Sequence, residues 1–352
     1  MLTKKQVQEI KEHLEKAQNP LFFFDNDPDG LCSFLLLQRY IGRGKGVPIR
    51  SFPALDESYF RKIKELNPDY IFILDKPVVS SVFFEEIEKI NLPVIWIDHH
   101  EIDKSNVPSF VKYYNPLFNS PKTNEPVTAL CSQINNRKED SWIGVVGCIS
   151  DNFIPEFYGE FMKQYPDLGI NSKKAFDIFY KSRVGKIAKL FLFALKDRTT
   201  NVISMIKFLM IVKSPYDVLE ENSKNKKMHE RFEELEKKYR NLFNKALLEK
   251  DLEEDVLFFK YGGETSISSD LSNELVYLFP EKFVIVMYEK DDKLTMAIRG
   301  ENVRDVAMKV IPLIEGATGG GHENAVGVRI NAKDLEEFKK MFLRIALENR
   351  KV

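Results

Sequence analysis

Short unbroken apolar runs punctuate the first half of the chain. Leu21-Phe22-Phe23-Phe24, Tyr70-Ile71-Phe72-Ile73-Leu74, Pro93-Val94-Ile95-Trp96-Ile97 and Trp142-Ile143-Gly144-Val145-Val146 are rich in β-branched and aromatic residues. Runs of this length predict strands of a parallel sheet, buried on both faces. Residues 3–17 predict an amphipathic helix capped by Thr3, with Val7, Ile10 and Leu14 on its apolar side. Strand and helix patterns alternate from 20 to about 152, as in a parallel sheet covered by helices. Residues 155–222 are helical in periodicity, and the charged stretch from Lys224 to Lys250 predicts one long, mostly exposed connector helix. A second α/β unit follows, with strands at Val256–Phe259, Phe283–Tyr288, Lys293–Arg299 and Gly327–Ile330 and a helix at Val303–Ile314. The expected organisation is a two-lobed α/β protein: a parallel-sheet lobe with a helical segment over 1–222, a connector over 223–252, and a smaller α/β domain over 253–352.

Each apolar run of the first lobe leads into polar chemistry. The followers are Asp25-Asn26-Asp27-Pro28-Asp29-Gly30, Asp75, Asp98-His99-His100, and Gly147-Cys148-Ile149-Ser150-Asp151. Side chains at the carboxyl ends of several parallel strands meet in one crevice, where open α/β sheets place ligands. Aspartate oxygens with one or two imidazoles make a hard site suited to Mn²⁺ or Mg²⁺. An EF-hand reading of the first motif needs a glutamate at the twelfth loop position, which is Leu36. Asp75 alone is better explained as a helix N-cap than as a ligand. Adjacent histidines at a strand end have little structural use, and together the clusters favour a two-metal hydrolase.

Composition narrows the class. The 352 residues hold 52 Lys and Arg against 53 Asp and Glu, and the pI near 6.6 argues against a protein that coats duplex. Three cysteines without a Cys-x-x-Cys pair point away from zinc and disulfide frameworks and toward a reducing cytoplasm; Cys32 and Cys148 read as small packing residues. Nothing resembles a signal segment or membrane span. Residues 171–214 are locally basic, with Phe176, Phe179 and Tyr180 interleaved. That pattern suits a groove tracking a single strand, or equally a solvated helix face with its rings turned inward.

At the four acidic motifs the chain resembles the DHH phosphoesterase superfamily, and within it the RecJ-like nucleases and their oligonucleotide-degrading relatives. A fifth stretch, Gly319-Gly320-Gly321-His322-Glu323-Asn324-Ala325-Val326-Gly327, is similar to the glycine-rich signature of the DHH-associated domain. The resemblance covers roughly residues 20 to 330, and five motifs in order are specific. It implies that Asp27 and Asp75, helped by Asp25, hold one metal ion. Asp29, Asp75, His99 and Asp151 would hold a second, with Asp75 bridging and Asp98 orienting the histidines. His100, His322 and Arg299 would contact the scissile phosphate, and Gly319, Gly320 and Gly321 would let backbone N–H groups approach it as an anion nest. Phe23 stands where many relatives carry a histidine; the RecJ branch also lacks that histidine and has an aspartate at the Asp25 position. Lys76-Pro77 replaces the small residues common after the second motif, so that Lys76 would pair with Asp75 or reach substrate phosphate.

The activity implied is a two-metal phosphodiesterase, with Mn²⁺ the expected cofactor and Mg²⁺ the alternative, working in a cleft between lobes. Its substrate would be single-stranded DNA or RNA or short oligonucleotides, degraded from an end to nucleoside 5′-monophosphates. The alternatives implied are a phosphodiesterase for very short RNA or cyclic dinucleotides, and a non-catalytic replication scaffold. The resemblance also raises a helicase, repair or replication factor and a second copy of the chain as partners, with no membrane association.

Overall fold

A computed structural model describes residues 1–51, 54–249 and 255–349. The chain divides into two compact units, Met1–Phe232 and Glu233–Val352.

The first unit is built on five parallel strands: β1 (Pro20–Asp25), β2 (Lys45–Ile49), β3 (Tyr70–Leu74), β4 (Val94–Ile97) and β5 (Val111–Tyr114). Their order is β2-β1-β3-β4-β5. Phe24, Leu74, Ile97 and Tyr114 lie in one register row across the last four of these. Alternation splits the sheet's side chains between two cores. Phe22, Phe24, Phe72, Leu74, Ile95 and Ile97 pack with α1 (Lys4–Lys16), α2 (Pro28–Ile41), α5 (Val127–Ile134) and α6 (Ser141–Ser150). Leu21, Phe23, Ile71, Ile73 and Trp96 pack on the other face with α3 (Phe60–Leu66) and α4 (Ser81–Lys89). Thr3 caps α1 through a full capping box with Gln6, as its sequence predicts.

The fourth apolar run departs from expectation. Trp142 to Val146 lies inside α6 rather than in a strand, and every residue of that helix from Trp142 to Ile149 is buried. A short apolar run buried all round has no face to reveal its period, so strand and helix look alike in sequence. The helix form is specified by close packing instead. A Cβ on Gly147 would come within 2.2 Å of Thr128 Oγ1 and 2.8 Å of Cys32 Cβ, so only glycine lets α6 pass this near α5 and α2.

The expected helical stretch follows as α7 (Tyr158–Gln164), α8 (Ala175–Lys181), α9 (Arg183–Ala194), α10 (Thr199–Leu209) and α11 (Pro215–Leu219). Within it Phe179 packs against the core, and the buried Lys189 lies 5.0 Å from the Tyr180 ring centre. Phe179 thus packs inward, while Phe176 and Tyr180 are partly buried. Lys173, Lys174, Lys186, Arg198, Lys207 and Lys213 remain exposed.

Helix α12 (Lys226–Glu249) carries the unit boundary at Phe232. It is less exposed than its charge suggests, since Met228, Leu235, Tyr239, Phe243 and Ala246 are buried along one stripe. The rest of the expected connector, from residue 250, and the start of the expected second domain, through 254, lie outside the described residues. The second unit has a mixed sheet of β6 (Val256–Gly262), β7 (Phe283–Lys290), β8 (Lys293–Arg299), β9 (Thr318–His322) and β10 (Ala325–Asn331), in the order β6-β7-β8-β10-β9. Helices α14 (Val303–Val310) and α15 (Leu335–Asn349) share its main core, and α13 (Ser268–Leu278) supplies Asn273 to the end of β8.

Candidate metal centre

In a sheet of order 2-1-3-4-5 the crossover direction reverses between β1 and β3, and the crevice at their carboxyl ends is the natural ligand position. Asp25 ends β1, while Asp75 and Asp98 come one residue beyond β3 and β4. Asp75 N–H still donates to Ile97 C=O at 3.0 Å, and Asp98 N–H to Tyr114 C=O at 3.0 Å. The three carboxylates thus stand one step above the shared row. Asp75 then turns with φ of 58°, a left-handed conformation disfavoured for a side chain and typical of functional strand ends. The helix that follows it, α4, is capped by Ser80 instead.

Capping falls to other members of the cluster. Asp27 is the N-cap of α2, accepting from Gly30 N–H at 2.9 Å. Gly30 is obligatory, because a Cβ there would meet Asp25 C=O at 2.4 Å. Asp29 is buried in the first turn of α2 and faces the start of α5. Its Oδ2 accepts from Val127 N–H at 2.9 Å and its Oδ1 from Thr128 N–H at 2.8 Å. Two backbone donors fix the plane of this carboxylate while leaving lone pairs for a ligand. Asp151 arrives from the end of α6, not from a strand, and its side chain is 45% exposed at the mouth of the site.

Two groups of donors converge. Ligand atoms of Asp75, His99 and His100 lie within 4.8 Å of one another, as do those of Asp29, His99 and Asp151. His99 Nε2 is 3.5 Å from Asp75 Oδ1 and 3.8 Å from Asp151 Oδ2, so it joins both groups. Asp25 and Asp27 belong to neither group among the described residues. The donor set is carboxylate oxygen plus imidazole. Such a set fits a hard divalent cation.

The adjacent histidines differ in charge. Burial, reinforced by repulsion from His100, lowers the His99 pKa to about 4, leaving a neutral ring suited to metal ligation. Burial also opposes charge on His100, but its hydrogen bond to Asp98 and the nearby carboxylates of Asp98, Asp151 and Asp25 outweigh that and raise its pKa. His100 Nδ1 lies 2.8 Å from Asp98 Oδ1. Asp98 is completely buried and also accepts from Tyr113 O–H at 3.1 Å, and Asn115 Nδ2 donates both to Tyr113 Oη and to His100 C=O. Tyr113 and Asn115 were not among the residues singled out from sequence. Their only signal is polarity at the far end of a strand, which the motif pattern does not include.

Lys76 is also placed differently from expectation. It is buried, and its Nζ sits 2.9 Å from Asp25 Oδ1, so its recorded partner is Asp25 rather than Asp75. Trp96 Nε1 donates to its carbonyl at 3.0 Å.

In the second unit the three glycines form the edge strand β9, not a nest-like loop. Register aligns His322 with Ala325 and Ala325 with Arg299, a row crossing β9, β10 and β8 on one face. Gly319 and Gly321 belong to the opposite, core-facing side, where a Cβ would meet Gly327 C=O at 2.6 Å and Ala325 C=O at 2.2 Å respectively. Gly320 shares the His322 face, and a Cβ there would meet nothing within 4 Å. That face is an open, glycine-paved shelf. At its end Arg299 Nε donates to Asn273 Oδ1 at 2.6 Å.

Comparison with known proteins agrees with this fold. No family model matches the sequence, nor does any curated protein. RecJ of Thermus thermophilus, solved in complex with Mn²⁺, aligns over 99% of this chain with a TM-score of 0.71 at 15% identity; this chain spans 55% of that one. An exonuclease RecJ bound to manganese aligns over 98% of this chain and 95% of its own, with a TM-score of 0.68 and 15% identity. A DHH domain described as a member of the S1p family of ribosomal proteins aligns over 97% of this chain and 90% of its own, at 0.68 and 14%. The chain has the fold of these RecJ and DHH-domain structures. Among the described residues no helix is long and apolar enough to cross a membrane.

The acidic cluster makes stability depend on pH in a defined direction. Desolvation, with repulsion from Asp25 and Asp29, raises Asp27 to about 7. Burial also raises Asp29, and burial with neighbouring carboxylates raises Asp75. A raised pKa means that the folded state binds more protons, so stability falls as pH climbs through the folded value. His99, lowered, acts in the opposite sense, but only below its unfolded value of about 6.5. Above that pH, Asp27, Asp75 and His100 all act together. In chelator, the melting temperature is expected to fall between about pH 6.5 and 8, and Mn²⁺ should flatten or reverse that slope because ligation releases the same protons. A melting temperature that rises through this window in chelator contradicts the assignment.

Proposed function

We propose that the chain is a divalent-metal-dependent phosphodiesterase that degrades single-stranded nucleic acid or short oligonucleotides from an end, releasing nucleoside 5′-monophosphates. The observation that carries the reading is the adjacent histidine pair, one ring biased to the neutral form and the other to the cation, beside a carboxylate cluster. One imidazole suits metal and its neighbour suits phosphate. Asp29, Asp75, His99 and Asp151 would hold one ion, and Asp27 and Asp75, with Asp25, would hold the other. Bound there, such ions lower the pKa of water and neutralise charge on an attacked phosphate. Mn²⁺ is favoured over Mg²⁺ because the set includes imidazole.

The protein's own groups supply the rest. Asp29 is held in one orientation by two backbone donors of α5, so its ligand geometry needs no rearrangement when substrate arrives. Asp98 keeps the His100 proton on Nδ1, which leaves Nε2–H as a charged donor toward a phosphate oxygen. Tyr113 and Asn115 fix Asp98 and the His100 backbone, limiting ring rotation. In the second unit, Arg299 and His322 are proposed to bind substrate phosphate along the open face, where Gly320 admits backbone or sugar closely.

End-labelled single-stranded DNA, RNA and dinucleotides, incubated with chelator-stripped protein and then with Mn²⁺ or Mg²⁺, test this reading. Turnover should require the metal and yield mononucleotides from one end. Asp75→Asn should reduce it by at least ~10³-fold without unfolding, since asparagine tolerates the left-handed backbone at 75 and adds no charge to the buried cluster. Full activity in chelator, or an Asp75→Asn variant as fast as the parent, contradicts the proposal.

A second test separates phosphate binding from metal binding. His322→Ala should leave Mn²⁺ titration by calorimetry unchanged while single-turnover cleavage falls on the order of 10²-fold. If the variant loses an ion, His322 is a ligand and this division of roles is wrong.

A further inference from the structure

The buried Lys76–Asp25 pair bears on how many ions the centre takes up, a question that rests on the metal-dependent reading above. Lys76 follows the strained Asp75 and precedes Pro77, which confines its backbone to extended conformations. Its carbonyl is held by Trp96 Nε1 from the neighbouring strand. With the backbone pinned on both sides, the side chain runs under the site, 4% exposed, and delivers Nζ to 2.9 Å from Asp25 Oδ1 and 3.4 Å from Ser51 C=O. The ammonium is too buried to sweep the surface for substrate.

We propose that Lys76 is a resident cation of this centre: it occupies Asp25, so the protein takes one divalent ion tightly and a second only weakly. The tight site is Asp29, His99 and Asp151 with Asp75 alongside, where the donors already converge. The weak site is the Asp25–Asp27 side. An ion that claims Asp25 must displace the ammonium from its carboxylate, leaving a buried positive charge without that counter-ion. The same ammonium repels an arriving dication at short range. Without Asp25, that side keeps Asp27, already engaged as the cap of α2, and a share of Asp75. Asp25 and Asp27 accordingly belong to neither converged group among the described residues.

The test is a Mn²⁺ titration of the chelator-stripped full chain, with bound ions counted from loss of the free-Mn²⁺ electron paramagnetic resonance signal and affinities taken from calorimetry. The wild type should bind one ion tightly and a second at least about tenfold more weakly. Lys76→Met keeps the length of the side chain and removes the charge. It should tighten the second ion by about tenfold while leaving the first unchanged, which also reports an intact site. In the double variant Asp25→Asn/Lys76→Met the gain should disappear, because the freed ligand is gone. Two equally tight ions in the wild type overturn the inference without any variant, as does a second site indifferent to Lys76→Met. A wild-type chain that binds no divalent ion overturns instead the metal-centre reading beneath it.

Discussion

Like charges confined at one sheet edge are the constraint around which the first unit is arranged. Asp25, Asp27, Asp29 and Asp75 share a crevice at the carboxyl ends of β1 and β3, with Asp151 at its mouth. Burial pushes Asp27, Asp29 and Asp75 toward their protonated forms, and repulsion from neighbouring carboxylates adds to it for Asp27 and Asp75. Such a cluster is stable only when each carboxylate has a counterweight. The fold provides these one by one: the N-terminus of α5 for Asp29, the first turn of α2 for Asp27, the ammonium of Lys76 for Asp25. The strong desolvation that remains on Asp75 is what a divalent cation would relieve. The same field separates the two histidines, because His100 has a buried carboxylate partner while the desolvation of His99 is reinforced by its neighbour's charge.

Much of this was readable from residue order, for a physical reason. A parallel sheet buried on both faces writes its strands as uninterrupted apolar runs, and ligands gather where those runs stop. Asp25, Asp75 and the Asp98-His99-His100 triplet could be placed on that basis alone. Asp151 could be assigned to the site but not to its scaffold. Its preceding run is equally apolar, and only the contacts of Gly147 with Thr128 and Cys32 show that it packs as a helix. Lys76 looked ambiguous because its direction depends on Pro77 and on Trp96, a partner from a different strand. The glycine triplet reads as a loop in sequence, yet pairing with β10 makes it an extended edge strand whose alternate glycines serve opposite needs. Gly319 and Gly321 leave room for the neighbouring backbone, and Gly320 leaves a face open.

The solved structures with this fold, at about 15% identity, show how little of the sequence is needed to keep the scaffold. In this chain the ligands have supports around them: Lys76 on Asp25, and Tyr113 with Asn115 around Asp98. These residues shape how charge is distributed in the crevice and, on the proposed reading, which group would bind metal and which phosphate.

That distribution can be observed directly. Nitrogen-15 NMR of the histidine rings, recorded in chelator near pH 7, reports the protonation of each imidazole, with His99→Gln and His100→Gln variants assigning the two signals. The account predicts a neutral His99 and a His100 carrying protons on both ring nitrogens to a higher pH than a free histidine. Two neutral rings with the same titration midpoint would contradict it.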